Sequence, residues 1–140
     1  MLLSVEQLLY NKKTNLNKFA KIGLYGKIMD KGREIMQTET YELEGQIFEW
    51  DREKNLSNIR KHGITFKIAA KAFLDPYAET YEDEKHSHDE ERFLLIGMDE
   101  REKILTVCHC FRDKDNIIRI ISARLASKTE QEIYEEAFNS

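Results

Sequence analysis

Residues 48–66 read FEWDREKNLSNIRKHGITF, and the fold turns on how this stretch divides. Asp51 is placed to cap the N-terminus of a helix, because its carboxylate can accept from a first-turn N–H. Gly63 is the natural stop, since glycine adopts the left-handed backbone that ends a helix at little cost. Arg60, Lys61 and His62 then fall in the last turn, where positive charge complements the helix dipole. At about 100° per residue, Asp51, Lys54, Asn58 and His62 form one polar stripe, and Leu56, Ile59 and Gly63 lie on another face, expected to meet a sheet. The sequence Lys61-His62-Gly63 therefore has two readings. It finishes a helix, or it delivers a histidine and a lysine to a reaction.

Working outward, Thr65 can cap a second helix, FKIAAKAFL, that ends before Asp75-Pro76. Upstream, YELEGQIFEW alternates Tyr41, Leu43, Gly45 and Ile47 into Trp50, as a strand or hairpin arm does. Downstream, residues 92–98, 103–112 and 116–123 read as three strands joined by DERE and DKD turns, an antiparallel meander. Between the second helix and these strands, residues 77–91 read partly as strand and partly as an acidic loop. Ser127 and Glu130 form a capping box for a last helix. Ser4 with Gln7 opens a helix over residues 4–13, and a further helical stretch is expected over about 15–22. The order strand, helix, helix, strands, helix gives an α+β domain with helices packed on one sheet.

A chain of 140 residues supports one real core, and no apolar run approaches a membrane span. The N-terminus lacks a basic region ahead of its short apolar run and a small-residue cleavage site, so no signal peptide is expected. The formal net charge of −4 argues against a broad nucleic-acid-binding surface; a local cationic pocket would be required. Residues 1–46 hold seven of the 22 Lys and Arg and six of the 26 Asp and Glu, so the acidity belongs to the remainder. Cys108 and Cys110 share one face of a strand and suit free, buried thiols of a cytoplasmic protein.

Candidate chemistry is sparse. In NIIRIISAR, Arg119 is expected to point with Ile117 and Ile121, and Arg124 follows on the opposite parity. An arginine in such a strand must be paired or face a wet groove. Arg119 and Arg92 thus suit either a structural ion pair or an anion pocket, for which a planar guanidinium is well shaped. His86 and His88, with Asp83 or Asp89, match no defined metal spacing. His109 is sent away from both thiols by strand alternation and reads as a core or groove histidine.

Taken together, FEWDREKNLSNIRKHGITF, AFLDP, ERFLLIG and RIISARLASKTEQEIYE resemble the BrnT family, from about Ile47 to Tyr134. The resemblance implies a RelE-like fold on a mainly antiparallel sheet. It implies a metal-independent endoribonuclease toxin of a type II toxin–antitoxin module, requiring no cofactor. It also implies a ribbon-helix-helix antitoxin as partner, a complex that represses its own operon, and contact with DNA only through that complex. Arg92, Arg119 and Arg124 match the family's arginine positions and would hold the phosphate. His62 would be the acid or base and Lys61 an RNA contact. Residues 1–46 have no counterpart in the typical family chain and are expected to form a helical extension to a toxin domain over 47–140. Two alternatives stand beside this reading: a non-catalytic antitoxin-binding module, and a metal-dependent phosphodiesterase built on His86 and His88.

Overall fold

The computed structural model describes residues 37–140, together with the backbone of two short antiparallel strands, β1 (Met29–Asp30) and β2 (Arg33–Glu34). The helices expected within residues 4–22 lie outside the described residues.

The chain then forms a hairpin of β3 (Thr38–Leu43) and β4 (Gln46–Asp51). Glu44 and Gly45 both take positive φ, 51° and 81°, the backbone twist that a two-residue hairpin turn requires. Gly45 is thus the turn, not a rung of the alternation. The first long helix, α1 (Arg52–His62), is capped as its sequence predicts: Asp51 accepts from the Lys54 N–H at 3.2 Å, and Gly63, at φ 70°, donates to the Ile59 carbonyl. Thr65 caps α2 (Phe66–Lys71), which tightens into a 3-10 turn over Ala72–Leu74. Four strands follow, β5 (Glu79–Glu82), β6 (Phe93–Met98), β7 (Ile104–Arg112) and β8 (Ile117–Leu125). The last helix, α3 (Lys128–Asn139), opens on the Ser127–Glu130 capping box.

These strands make one six-stranded sheet ordered β3-β4-β8-β7-β6-β5. The β6-β7-β8 meander is antiparallel, but β4 and β8 run parallel, so the sheet is mixed. No local signal sets that pairing. It follows from burying Phe48 and Trp50 of β4 with Ile118 and Ile120 of β8 in one core. The small side chains Ala69 and Ala70 bring α2 close to this face, where Phe66 meets Trp50 edge-on at 5.9 Å. Gly97 of β6 allows an equally close approach, since a Cβ there would meet the Ala72 carbonyl oxygen at 2.8 Å. On the other face, α3 packs over β5, β6 and β7 with Tyr134 buried.

The helix α1 differs from its amphipathic reading. Leu56 and Ile59 are each 37% exposed, and Asn58 is the buried residue of the helix, at 5%. Asn58 and the cap Asp51 turn inward, whereas Lys54 and His62 of the same stripe stay exposed. The reason is hydrogen bonding: Asn58 satisfies backbone groups of Ala123 that β4 leaves open on β8.

Candidate active site

The geometry of β8 decides where the arginines go. Cys108 pairs with Ser122, but the next residue of β7, His109, pairs with Ile120. Ile121 is therefore the extra residue of a β-bulge, and a bulge inverts the alternation beyond it. Val107 and Ala123 pair on the core face and are fully buried. On the opposite face, Cys110 pairs with Arg119, Cys108 with Ser122, and Thr106 with Arg124. Arg119 and Arg124 thus share one face, despite their odd separation in sequence. The expectation of opposite parity fails because of this one inserted residue.

Arg92 precedes Phe93, whose partner is His109, so it falls beside Cys110 on that same face. Across the sheet runs a row of Glu49, Arg119, Cys110 and Arg92. Each arginine meets a carboxylate. Arg119 Nη1 donates to Glu49. Arg124 grips Glu130 with both Nη atoms, at 2.6 and 3.0 Å. Glu90 lies 2.6 Å from Arg112 and 3.9 Å from Arg92. Arg112 also donates to the Cys110 thiol at 3.0 Å. The hydrogen bond from Arg112 holds Glu90 below the usual carboxylate range. The hydrogen bonds from Arg124 hold Glu130 lower still, at about 2. Ser122, between the two arginines of β8, is exposed, so the floor is open to solvent there.

On α1, Lys54 and Lys61 lie on one flank of Asn58 by helical phase, and Asn55 and His62 on the other. Asn55 accepts from the Phe66 N–H at 2.9 Å, which places its flank toward α2. His62 and Lys61 are exposed at the helix end and make no hydrogen bond or ion pair among the described residues. The arginines are therefore brought together, whereas His62 lies on the helix flank away from Lys61.

His109 is buried, with Nδ1 3.2 Å from the Val107 carbonyl and its ring edge-on to Phe73 at 4.8 Å; burial lowers its pKa. Its place is in the core. Cys108 and Cys110 are free and buried, and burial raises both thiols, Cys108 to about 11. His86 pairs with Asp83 at 2.9 Å, and no group of three metal-ligating side chains occurs among the described residues. His86, His88, Asp89, Glu90 and Arg92 instead line a cavity of about 180 Å³ at the edge of the floor.

Sequence reasoning missed Glu49, Glu130 and Ser122 as parts of this face. Glu49 carried a signal, a lone acid between Phe48 and Trp50 in a strand. Glu130 was legible as a capping residue, but not as an arginine partner.

The family model for the ribonuclease toxin BrnT of type II toxin–antitoxin systems matches residues 50–130. The chain belongs to the BrnT family. Its α+β fold is a six-stranded mixed sheet with three helices among the described residues. The crystal structure of the Brucella abortus ribonuclease toxin BrnT is similar at 29% identity and a TM-score of 0.45, covering 56% of this chain and 94% of that one. No curated protein matches the sequence. BrnT membership implies an antitoxin partner and an RNA substrate. Among the described residues, no helix is long and apolar enough to cross a membrane.

Proposed function

We propose that this chain is a metal-independent endoribonuclease toxin whose active site is the arginine face of the sheet. The observation that carries the reading is the Ile121 bulge, which gathers Arg119, Ser122 and Arg124 on one face beside Arg92. Cleavage of RNA without a metal needs a base to take the 2′-OH proton, charge to stabilise the phosphorane, and an acid for the departing 5′-oxygen. Arginine suits the second task, because its charge persists at any working pH and its fork matches phosphate oxygens. Arg92, Arg119 and Arg124 are proposed to bind and stabilise the phosphate. His62 is the proposed proton-transfer residue, since an imidazole can both accept and donate a proton, with Lys61 contacting RNA. The products would be a 2′,3′-cyclic phosphate and a 5′-hydroxyl.

The proposed biology completes the picture: a ribbon-helix-helix antitoxin neutralises the toxin in the cytoplasm, and the complex represses its own operon through the antitoxin's DNA contacts. Residues 1–46 are proposed as an extension to a toxin domain over 47–140. The hairpin of β3 and β4 spans that boundary.

A second reading is favoured by one observation. Arg119 and Arg124 are each tied to a carboxylate, and Glu90 lies beside Arg92 and Arg112. A floor neutralised in this way would serve antitoxin binding without catalysis. Purified chain, incubated with RNA in EDTA, separates the two. The toxin reading expects cleavage, lost in folded Arg119→Ala and Arg124→Ala. Tight antitoxin binding with no cleavage at high protein concentration would select the second reading. Loss of activity only through loss of folding would make the ion pairs structural.

A further inference from the structure

We propose that Asn58 is a positioning residue that fixes the Lys61–His62 end of α1 against the arginine strand β8, an assignment resting on the functional reading above.

The need for such a residue comes from the sheet. Strand β4 pairs with β8 only through Ile47–Glu49 and Ile117–Arg119. Beyond that, β4 gives way to α1, and the β4-facing edge of β8 loses its partner while the opposite edge stays paired with β7. Unpaired backbone groups in a buried setting demand replacements. Asn58 supplies them. Its Nδ2 donates to the Ala123 carbonyl at 2.8 Å, and its Oδ1 accepts from the Ala123 N–H at 3.0 Å. One side-chain amide thus reads both groups of Ala123, as a neighbouring strand would. The same Nδ2 donates to the Ile64 carbonyl at 2.9 Å, which fastens the segment just after Gly63.

Position gives this contact its functional meaning. Ala123 lies between Ser122 and Arg124, two residues past the bulge. Lys61 and His62 are three and four residues beyond Asn58, one helical turn away. Leu56 and Ile59 are each 37% exposed, which leaves Asn58 as the buried residue of α1. This buried amide is the tie between the turn that carries Lys61 and His62 and the arginine strand. Leucine would orphan both groups of Ala123, and aspartate would keep the acceptor but set its charge against two carbonyls.

The test is a double-mutant cycle in the full chain, on a short RNA, with circular dichroism and thermal melts fixing the folded fraction. The variants are Asn58→Ala, the pair Lys61→Ala with His62→Ala, and all three together. Asn58→Ala is expected to lower kcat at least about tenfold with KM changed by less than about threefold, and to have almost no effect once Lys61 and His62 are gone. An equal factor in both backgrounds overturns the assignment, as does a loss that only follows the folded fraction. If Asn58→Ala does not fold, Asn58→Asp takes its place in the same cycle. If the parent chain cleaves no RNA, the functional reading fails, and Asn58 is then judged by binding. Affinity for a 2′-O-methyl RNA should fall about fivefold in the parent background and stay unchanged without Lys61 and His62. Equal weakening in both backgrounds overturns it.

Discussion

Glu130 closes on Arg124 with two parallel hydrogen bonds while its Oε1 also accepts from the Ser127 N–H at 2.7 Å. One carboxylate thereby ties the start of α3 to the end of β8. Arg124 holds the Glu130 carboxyl at about 2, below the ordinary 4.5. The native state therefore binds fewer protons than the unfolded chain, and stability rises with pH across this window. The contribution is complete above about 4.5 and drains away as the pH falls toward 2. Arg124 is 43% exposed, so screening reduces the pair to about 1–2 kcal/mol. Glu130→Gln should lose that amount in urea unfolding at pH 7, with the gap to the parent closing near pH 2. A gap that persists at low pH would assign the loss to the cap alone.

The Glu49–Arg119 pair makes a different prediction, about binding. If Arg119 contacts phosphate, Glu49 competes with RNA for the same guanidinium. Glu49→Gln should strengthen binding of a non-cleavable RNA by about threefold at low salt, an effect of order 0.6 kcal/mol that shrinks as salt screens the attraction between phosphate and guanidinium. Filter binding at two ionic strengths measures it. Unchanged affinity would remove Arg119 from the RNA contacts.

The two thiols test the burial of the floor. Cys108 and Cys110 are buried, with burial raising both above the ordinary thiol range. A thiol that stays protonated and inaccessible does not react. Native protein at pH 8 should resist an aromatic disulfide reagent for hours, and both thiols should react at once in urea. Rapid native labelling would show that the Arg112–Cys110 contact opens readily.

How far the sequence disclosed this arrangement depends on the range of the interaction. Features set by neighbours within a few residues were legible: the Asp51, Thr65 and Ser127 caps, the Gly63 stop, and the strands of the meander. Features set across the chain were not. The parallel β4–β8 pairing has no local signature, and the Ile121 bulge is invisible in the isoleucine-rich run NIIRIISAR. Parity counted through that run put Arg124 on the wrong face. The helical wheel of α1 failed for a related reason. It ranked faces by hydropathy, whereas the Asn58 amide bonds two long-range backbone groups of Ala123 and so outweighs Leu56 and Ile59.

That reversal has a direct check in stability. Surface substitutions away from special features change stability by about 0.5 kcal/mol or less, whereas truncating a buried side chain costs about 2–5 kcal/mol. Leu56→Lys and Ile59→Lys should therefore be nearly neutral in urea unfolding. Phe66→Ala, at a fully buried position against Trp50, should cost about 3–5 kcal/mol. A loss above about 1.5 kcal/mol at Leu56 or Ile59 would mean that another part of the chain covers α1 in solution.

Gly63 separates the two readings of Lys61-His62-Gly63. Its φ of 70° is left-handed, and nothing lies within 4 Å of where a Cβ would stand, so an alanine there meets backbone strain but no clash. The expected cost is about 1 kcal/mol, the usual penalty for a non-glycine residue in that conformation. His62, by contrast, is exposed and has no partner among the described residues, so His62→Ala should leave stability unchanged. If the segment only ended a helix, neither substitution would touch RNA cleavage in folded protein. The toxin reading expects an asymmetry: Gly63→Ala lowers the melting temperature by a few degrees with activity largely kept, and His62→Ala keeps the melting temperature while kcat falls by about 10²-fold or more. Paired melts and cleavage assays on the two variants decide it, and full activity in His62→Ala would strike the histidine from the mechanism and leave the arginines to carry it.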